Sequence, residues 1–294
     1  MKTLTPIAAA IVFAASGSAF ADGNSVEQTQ VGFGHNVYAH QSEYTDGDTI
    51  KQIQVGAFHS SAAFQYYGEE YSNIKHEQYG AYQFALSSQE GGEENIAQIE
   101  QYGAGNEGVT WQHYAQYSAA KIHQDGHYNN ANVDQIASSD ARGVVYQDGA
   151  HNHGGISQIA TIDAYSLIVQ KGAHNYADTD QFLVINAVSN IDQDGHGNDA
   201  DVYQGFGYDL DSMVTQSGEY NDADVEQYGF YNAQVTTQAG CANYASTVQG
   251  GAGNHSYTTQ VGAHNYHWTT QTGFGGTATA TQIGIGNSGA IVQN

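Results

Sequence analysis

Proline is absent after Pro6, and cysteine occurs once, as Cys241. A single thiol excludes an internal disulfide framework; it leaves an intermolecular bridge or a tolerated small residue, and its turn position favours the second. Positive charge is also scarce: six Lys and Arg stand against 30 Asp and Glu, for a formal net charge of −24. Nucleic acid is thereby excluded as a partner, because its affinity comes largely from cations that neutralise phosphates. Anionic membrane surfaces are excluded for the same reason. Long apolar runs are missing too. The stretch Ile7 to Ala15 is too short to span a bilayer and no second one follows, so no transmembrane segment is expected. With Lys2 before it and Ala19-Phe20-Ala21 after it, the stretch reads as the apolar part of a secretory signal peptide over residues 1–21. The mature chain then starts near Asp22, outside the cytoplasm, with 22–29 as a short N-terminal segment.

What the chain has is glutamine at a fixed beat. Twelve pairs of Gln, each pair 11 residues apart, run from Gln30 and Gln41 to Gln282 and Gln293. The pair starts are spaced 24 residues at first, then 23, then 22. Such a period marks a solenoid or an array. Two positions after each first Gln stands a Gly, including Gly126, Gly149, Gly172, Gly195, Gly218, Gly240, Gly262 and Gly284. Three positions further, nine units carry Asn: Asn106, Asn129, Asn152, Asn175, Asn198, Asn221, Asn243, Asn265 and Asn287. The first three units have His35, His59 and Gln83 there. A small residue follows two positions on, as in Ala131, Ala177, Ala200 and Ala223, which completes the unit Q-x-G-x-x-N-x-A-x-x-x-Q.

Physical chemistry assigns these positions. Gly tolerates positive φ, so Gln-x-Gly-x-x-Asn marks a tight reversal between two strands. Ile or Val sits two positions before many of the Gln, as in Ile99, Ile122, Val145, Val133 and Ile156. Alternate residues of a strand share a face, so the aliphatic residue and the Gln both point inward. Each unit is then one rung of two short strands, and 12 rungs make an all-β solenoid over residues 30–294, about 55 Å tall at the usual strand spacing. Identical inward residues fall above one another at about 4.8 Å. The columns Gln124, Gln147, Gln170, Gln193, Gln216, Gln238, Gln260 and Gln282, with Asn129 to Asn287, are therefore expected to satisfy their own amides rung by rung. Low-complexity disorder is the competing reading of a polar, Gln-rich chain, but strict periodicity and interleaved Ile, Val and Ala argue against it.

The unit resembles the curlin repeat, S-x5-Q-x-G-x-x-N-x-A-x-x-x-Q. Gln193 to Gln204 (QDGHGNDADVYQ), Gln216 to Gln227 and Gln238 to Gln249 carry the likeness most fully. The resemblance implies a subunit of curli, the extracellular functional amyloid of Gram-negative bacteria. Such a subunit is exported through an outer-membrane pore, stacks as cross-β fibre on a nucleator subunit, and serves adhesion and biofilm matrix. No cofactor and no enzymatic activity go with it. The Gly-rich leader that typically addresses the family's pore has no counterpart in Asp22 to Thr29.

Charge is laid out unevenly. No Asp, Glu, Lys or Arg follows Glu226, so the last three rungs are neutral, and no polar cap is evident after Gln293. An uncharged, uncovered edge is a template for another chain, and a homopolymer through the end rungs is expected. Asp178, Asp201 and Asp224 fall at one outward position of successive rungs. They read as gatekeepers against premature aggregation, with a Ca²⁺-binding row as the weaker alternative. Lys171 falls in another outward column, between Asp148 and Asp194. His151 and His174, in adjacent turns, are candidates for a shared metal or proton, though turn histidines are more often simply solvated. Two other classes compete with the fibre subunit. One is a carbohydrate-cleaving β-helix with an acid pair such as Asp199 and Asp201. The other is a soluble ice- or surface-binding solenoid that uses the Thr237, Thr259 and Thr281 column.

Overall fold

The structure, a computed structural model, describes residues 23–42 and 44–294. The signal peptide at 1–21 lies outside the described residues. The rest is strand and turn: 24 strands, β1 to β24, with odd numbers in one sheet and even numbers in the other. Each sheet has 12 strands in sequence order, all parallel. The first rung is β1 (Ser25–Phe33) with β2 (Asn36–Gln41), and the last is β23 (Thr277–Ile285) with β24 (Ser288–Gln293). The fold is thus the expected two-strand-per-rung solenoid. Its first strand opens at Ser25, inside the segment 22–29 that the repeat pattern leaves out.

Register follows the Gln beat. Gln30 pairs with Gln54 and Gln41 with Gln65, and the same alignment holds up to Gln260 with Gln282 and Gln271 with Gln293. Strand burial alternates, as in β7 (Ile96–Ala104), where Ala97, Ile99 and Gln101 point inward. The aliphatic core is concentrated in the middle rungs, from Ala85 through Ile122, Val145 and Ile168 to Val225. Toward both ends the same inward columns turn polar, with Gln52 and His76 on one side and Thr236, Ser256 and Thr258 on the other.

The two corners of the rung obey different rules. At the first, the paired Gln are always 11 residues apart. At the second, the spacing to the next Gln falls from 13 to 12 to 11 along the chain. A break in register between Gly205 and Gly207 accompanies the second of these steps.

Candidate functional site

Besides an open concavity on the acidic face, lined by Asp178, Asp180, Asp201, Tyr203, Asp224 and Glu226, the functional geometry of the repeat is the pair of amide columns and the end rungs they run into. In the first column Gln30 Nε2 donates to Gln54 Oε1 at 3.1 Å, and every following step up to Gln260 to Gln282 is of the same kind, at 2.8–2.9 Å. The second column runs likewise from Gln41 to Gln293 at 2.7–2.9 Å. All steps point one way, amide nitrogen toward the later rung. A second bond fixes that orientation: Gln147 Nε2 also donates to the Asn130 carbonyl, and Gln170 Nε2 to the His153 carbonyl. An Oε1 in that place would face a carbonyl oxygen. Buried amides are thereby satisfied by their own copies, which makes them specifiers of register.

The Asn column departs from the expected form. Asn sits at the corner between strands, where the backbone lacks its sheet partner. Asn129 Oδ1 accepts from the Asn152 N–H at 3.0 Å, and Asn129 Nδ2 donates to the Gly149 carbonyl at 3.1 Å. Amide-to-amide bonds are added only from Asn152 onward, to Asn175, Asn198, Asn221, Asn243, Asn265 and Asn287. His59 and Gln83 take over the role in the early rungs, donating to the carbonyl four residues back at 3.1 Å as Asn106 does at 2.8 Å.

The Gly column is also corrected. Gly126 and Gly149 are not the reversal itself; they end a strand at φ of +125° and +128°. A Cβ at Gly149 would lie 1.9 Å from the Gly172 carbonyl oxygen of the next rung, so both conformation and space demand glycine. The chain reverses two residues later, at a left-handed position held by Phe58, Tyr82, Tyr128, His151, His174 and Tyr220. Here rings lie over rings or over a glycine: Tyr128 on His151 at 5.3 Å, His151 on His174 at 4.9 Å, Tyr220 against Gly197. The stacked His151 and His174 rings are parallel to within 2°. Nitrogen lone pairs of parallel rings lie in the two ring planes and do not converge between them, so this stack does not hold an ion between its members.

Sequence reasoning missed the second corner. Asn24, Asp48, Ser72, Asn95 and Ser118 form a column in which each side chain accepts from the next backbone N–H, at 2.8–3.2 Å. Ala141, Ala164, Ala187 and Leu210 continue it as buried hydrocarbon, before Asn232 and Asn254 resume the bonding. Changing residue types and changing spacing hide this column from a search for a fixed motif. A buried chain in the early rungs was missed as well. Gln52 Nε2 donates to Ser61 Oγ at 2.8 Å, Ser61 meets His76 Nδ1 at 2.8 Å, and His76 Nε2 meets Ser87 Oγ at 2.7 Å. The donor sequence leaves Nε2 as the protonated nitrogen, and burial pushes the His76 pKa down to about 3.

The acidic face lies on β14 (Tyr176–Ile185), β16 (Asp199–Tyr208) and β18 (Asp222–Phe230). Asp178, Asp201 and Asp224 are aligned there as expected, with Asp199 beside Asp222 in a second row. Tyr176 donates to Asp178 and Tyr244 to Asp224 Oδ2, the latter at 2.7 Å. Desolvation, then the neighbouring carboxylates, raises Asp201 to about 6 and Asp222 to about 6. Among the described residues no group of three or more His, Cys, Asp or Glu is placed to hold a metal ion. Asp199 and Asp201, the candidate acid pair, are members of these repeated rows. Lys171 aligns with Asp148 and Asp194, as expected. The Thr237, Thr259 and Thr281 column is aligned too. No helix among the described residues is long and apolar enough to cross a membrane.

Parallel sheets stacked on amide columns define a structural β-solenoid. Residues 190–218 match the family description "Curlin associated repeat". That span takes in Gln193 to Gln204, the stretch on which the resemblance rests most fully, and the likeness to the curlin repeat family is shown there. No curated protein matches the chain.

Proposed function

We propose that this protein is a structural, non-enzymatic subunit of an extracellular curli-like fibre, which grows by stacking the last rung of one molecule on the first rung of the next. The observation that carries the reading is the one-way run of both amide columns. Among the described residues, Gln30 and Gln41 receive no amide from an earlier rung, while Gln282 and Gln293 give none to a later one. Free acceptors at one end and free donors at the other complement each other head to tail; head to head they do not. Contacts between unlike ends do not close on themselves and propagate as a filament. Exposed Ile283 and Ile285 at the tail and Phe33 at the head supply apolar surface to bury. The charge-free tail removes the repulsion that a second acidic end would bring.

A surface role in adhesion and biofilm matrix, a nucleator subunit and an outer-membrane export pore follow from the curlin likeness as parts of the same proposal. Purified protein diluted from denaturant is expected to form dye-positive fibres with a lag that preformed fibre abolishes. Gln30→Leu and Gln282→Leu should each slow growth. A chain that folds and stays monomeric at high concentration in the presence of seeds overturns the proposal, and favours a soluble solenoid that uses its Thr column.

A further inference from the structure

The second corner of the first rungs contains one titratable member in an otherwise neutral column. Asn24, Ser72, Asn95 and Ser118 bond their neighbours without carrying charge; between the first two stands Asp48. Its side chain is wholly buried. Oδ1 accepts from the Ser72 N–H at 2.8 Å, whereas Oδ2 is buried with no hydrogen-bond partner among the described residues. The contrast with Glu69, buried in the next rung, is informative. Glu69 receives Ser72 Oγ at 2.6 Å, the Gly92 N–H at 2.8 Å and Asn95 Nδ2 at 2.9 Å, a shell suited to a carboxylate. Asp48 has no such shell: a single N–H serves one oxygen and nothing among the described residues compensates charge on the other.

The surroundings deepen the difference. Asp46, Glu69 and Glu70 all face Asp48 with negative charge. Cations on the strands packed against it are engaged elsewhere: Lys51 with Glu27 at 3.1 Å, and Lys75 with Glu77 and Glu100 at 3.1 and 3.2 Å. His40 on β2 is exposed on the outer face, and His113 lies beside Glu90 at 3.8 Å. Desolvation, with the acidic neighbours added and the Ser72 bond opposing, raises the Asp48 pKa to about 7.

The backbone of Asp48 fastens the corner of the first rung. Its carbonyl accepts from the Ser25 N–H at 2.8 Å and from Gln41 Nε2 at 3.0 Å, and its N–H donates to Asn24 Oδ1 at 2.8 Å. Both strands of the first rung are thus tied at this corner as well as by their ladders to the second rung.

We propose that Asp48 is a proton-operated clasp: with its carboxyl protonated the corner of the first rung is closed, and with the carboxyl ionised the corner opens and that edge of the rung is loosened. Combined with the stacking reading, on which this last step rests, the clasp regulates the head end as a template for the next molecule. A raised acid pKa stabilises the closed form fully below the ordinary Asp range, and the stabilisation is lost as pH rises toward the folded value. Opening should therefore become easier by about tenfold for each pH unit between about 4 and about 7, and level off above.

The test is hydrogen exchange of the full chain, corrected for intrinsic rates, at the Ser25, Asp48 and Ser72 amides between pH 4.5 and 8. Protection is expected to fall steeply up to about pH 7 and then flatten in the unaltered protein. The slope should be much shallower in Asp48→Asn, where the buried Glu69, itself raised by desolvation, is the remaining titrating neighbour, and unchanged from the original profile in Asp201→Asn, far from the corner. A flat profile in the unaltered protein, or the same slope in Asp48→Asn, overturns the clasp. Should Asp48→Asn fail to fold, the carboxyl carbon of Asp48 read by NMR decides: titration near pH 7 supports the clasp, and titration near 4 refutes it. These readings are made on the single molecule. A clasp that titrates in a chain that never forms fibres would sink the stacking reading and leave the clasp standing.

Discussion

Replacing Gln170 with Leu tests whether the amide columns act as continuous structures. Gln170 accepts from Gln147 at 2.8 Å and donates to Gln193 at 2.9 Å and to the His153 carbonyl at 2.7 Å. Leucine leaves Gln193 Oε1 buried with no donor, while Gln147 Nε2 keeps the Asn130 carbonyl. One orphaned acceptor costs about 1–3 kcal/mol and the two other lost bonds about 1 kcal/mol each. The buried leucine returns about 1.5–3 kcal/mol. A net loss of about 2 kcal/mol is expected from these terms. The triple replacement of Gln147, Gln170 and Gln193 is the sharper experiment. It moves the broken ends to Gln124 and Gln216 without multiplying them, because the leucines in between have each other. Its penalty should fall well short of three times the single one. Hydrogen exchange over β13 (Tyr165–Ala173) to β16, alongside urea unfolding, measures both, since a repeat array need not unfold in one step. Equal penalties that simply add, or a single variant as stable as the original, would refute column continuity.

Other outcomes follow from the same geometry. Gly149→Ala, whose new methyl meets the Gly172 carbonyl, should unfold the surrounding rungs, whereas Gly286→Ala, at φ +69° with open space around it, should cost only the backbone strain of about 1–2 kcal/mol in a thermal melt. His76 has a depressed pKa, so its contribution is complete above about 6.5 and is lost as pH falls toward 3; His76→Gln should remove that acid sensitivity from exchange in β3 to β6 (Thr49–Glu90). Asp201 is shifted the other way: its cost to the fold appears as pH rises from the ordinary Asp range to about 6. Asp201→Asn should therefore stabilise β14 to β18 at pH 7 and change little at pH 4, as read by urea midpoints.

Much of this architecture is legible in the sequence because Gln, Gly and Asn each do a job that few residues can do. An interior amide must both donate and accept along the stack, and Gly149 must lack a side chain. The left-handed corner position was less visible, since Tyr128, His151 and Gly197 fill it equally well, and a ring over the preceding rung compensates for an unfavourable backbone. Asp48 escaped notice because its column tolerates Asn, Ser, Ala and Leu. Burial distinguishes it, and burial at a corner of changing length cannot be counted off from a period. The outward acids were legible as rows, but the raised pKa of Asp201 and Asp222 comes first from burial, which spacing alone does not give.

The shrinking second corner has a practical side. Residues can be added to or removed from this bend while the strands before and after it keep their alignment, as the chain does twice along its own length. Gly250 lies in that bend with nothing within 4 Å of where a side chain would begin. A peptide tag spliced in beside it would project from the flank of the molecule, clear of both terminal surfaces, and each copy in a fibre would display it once per molecular length.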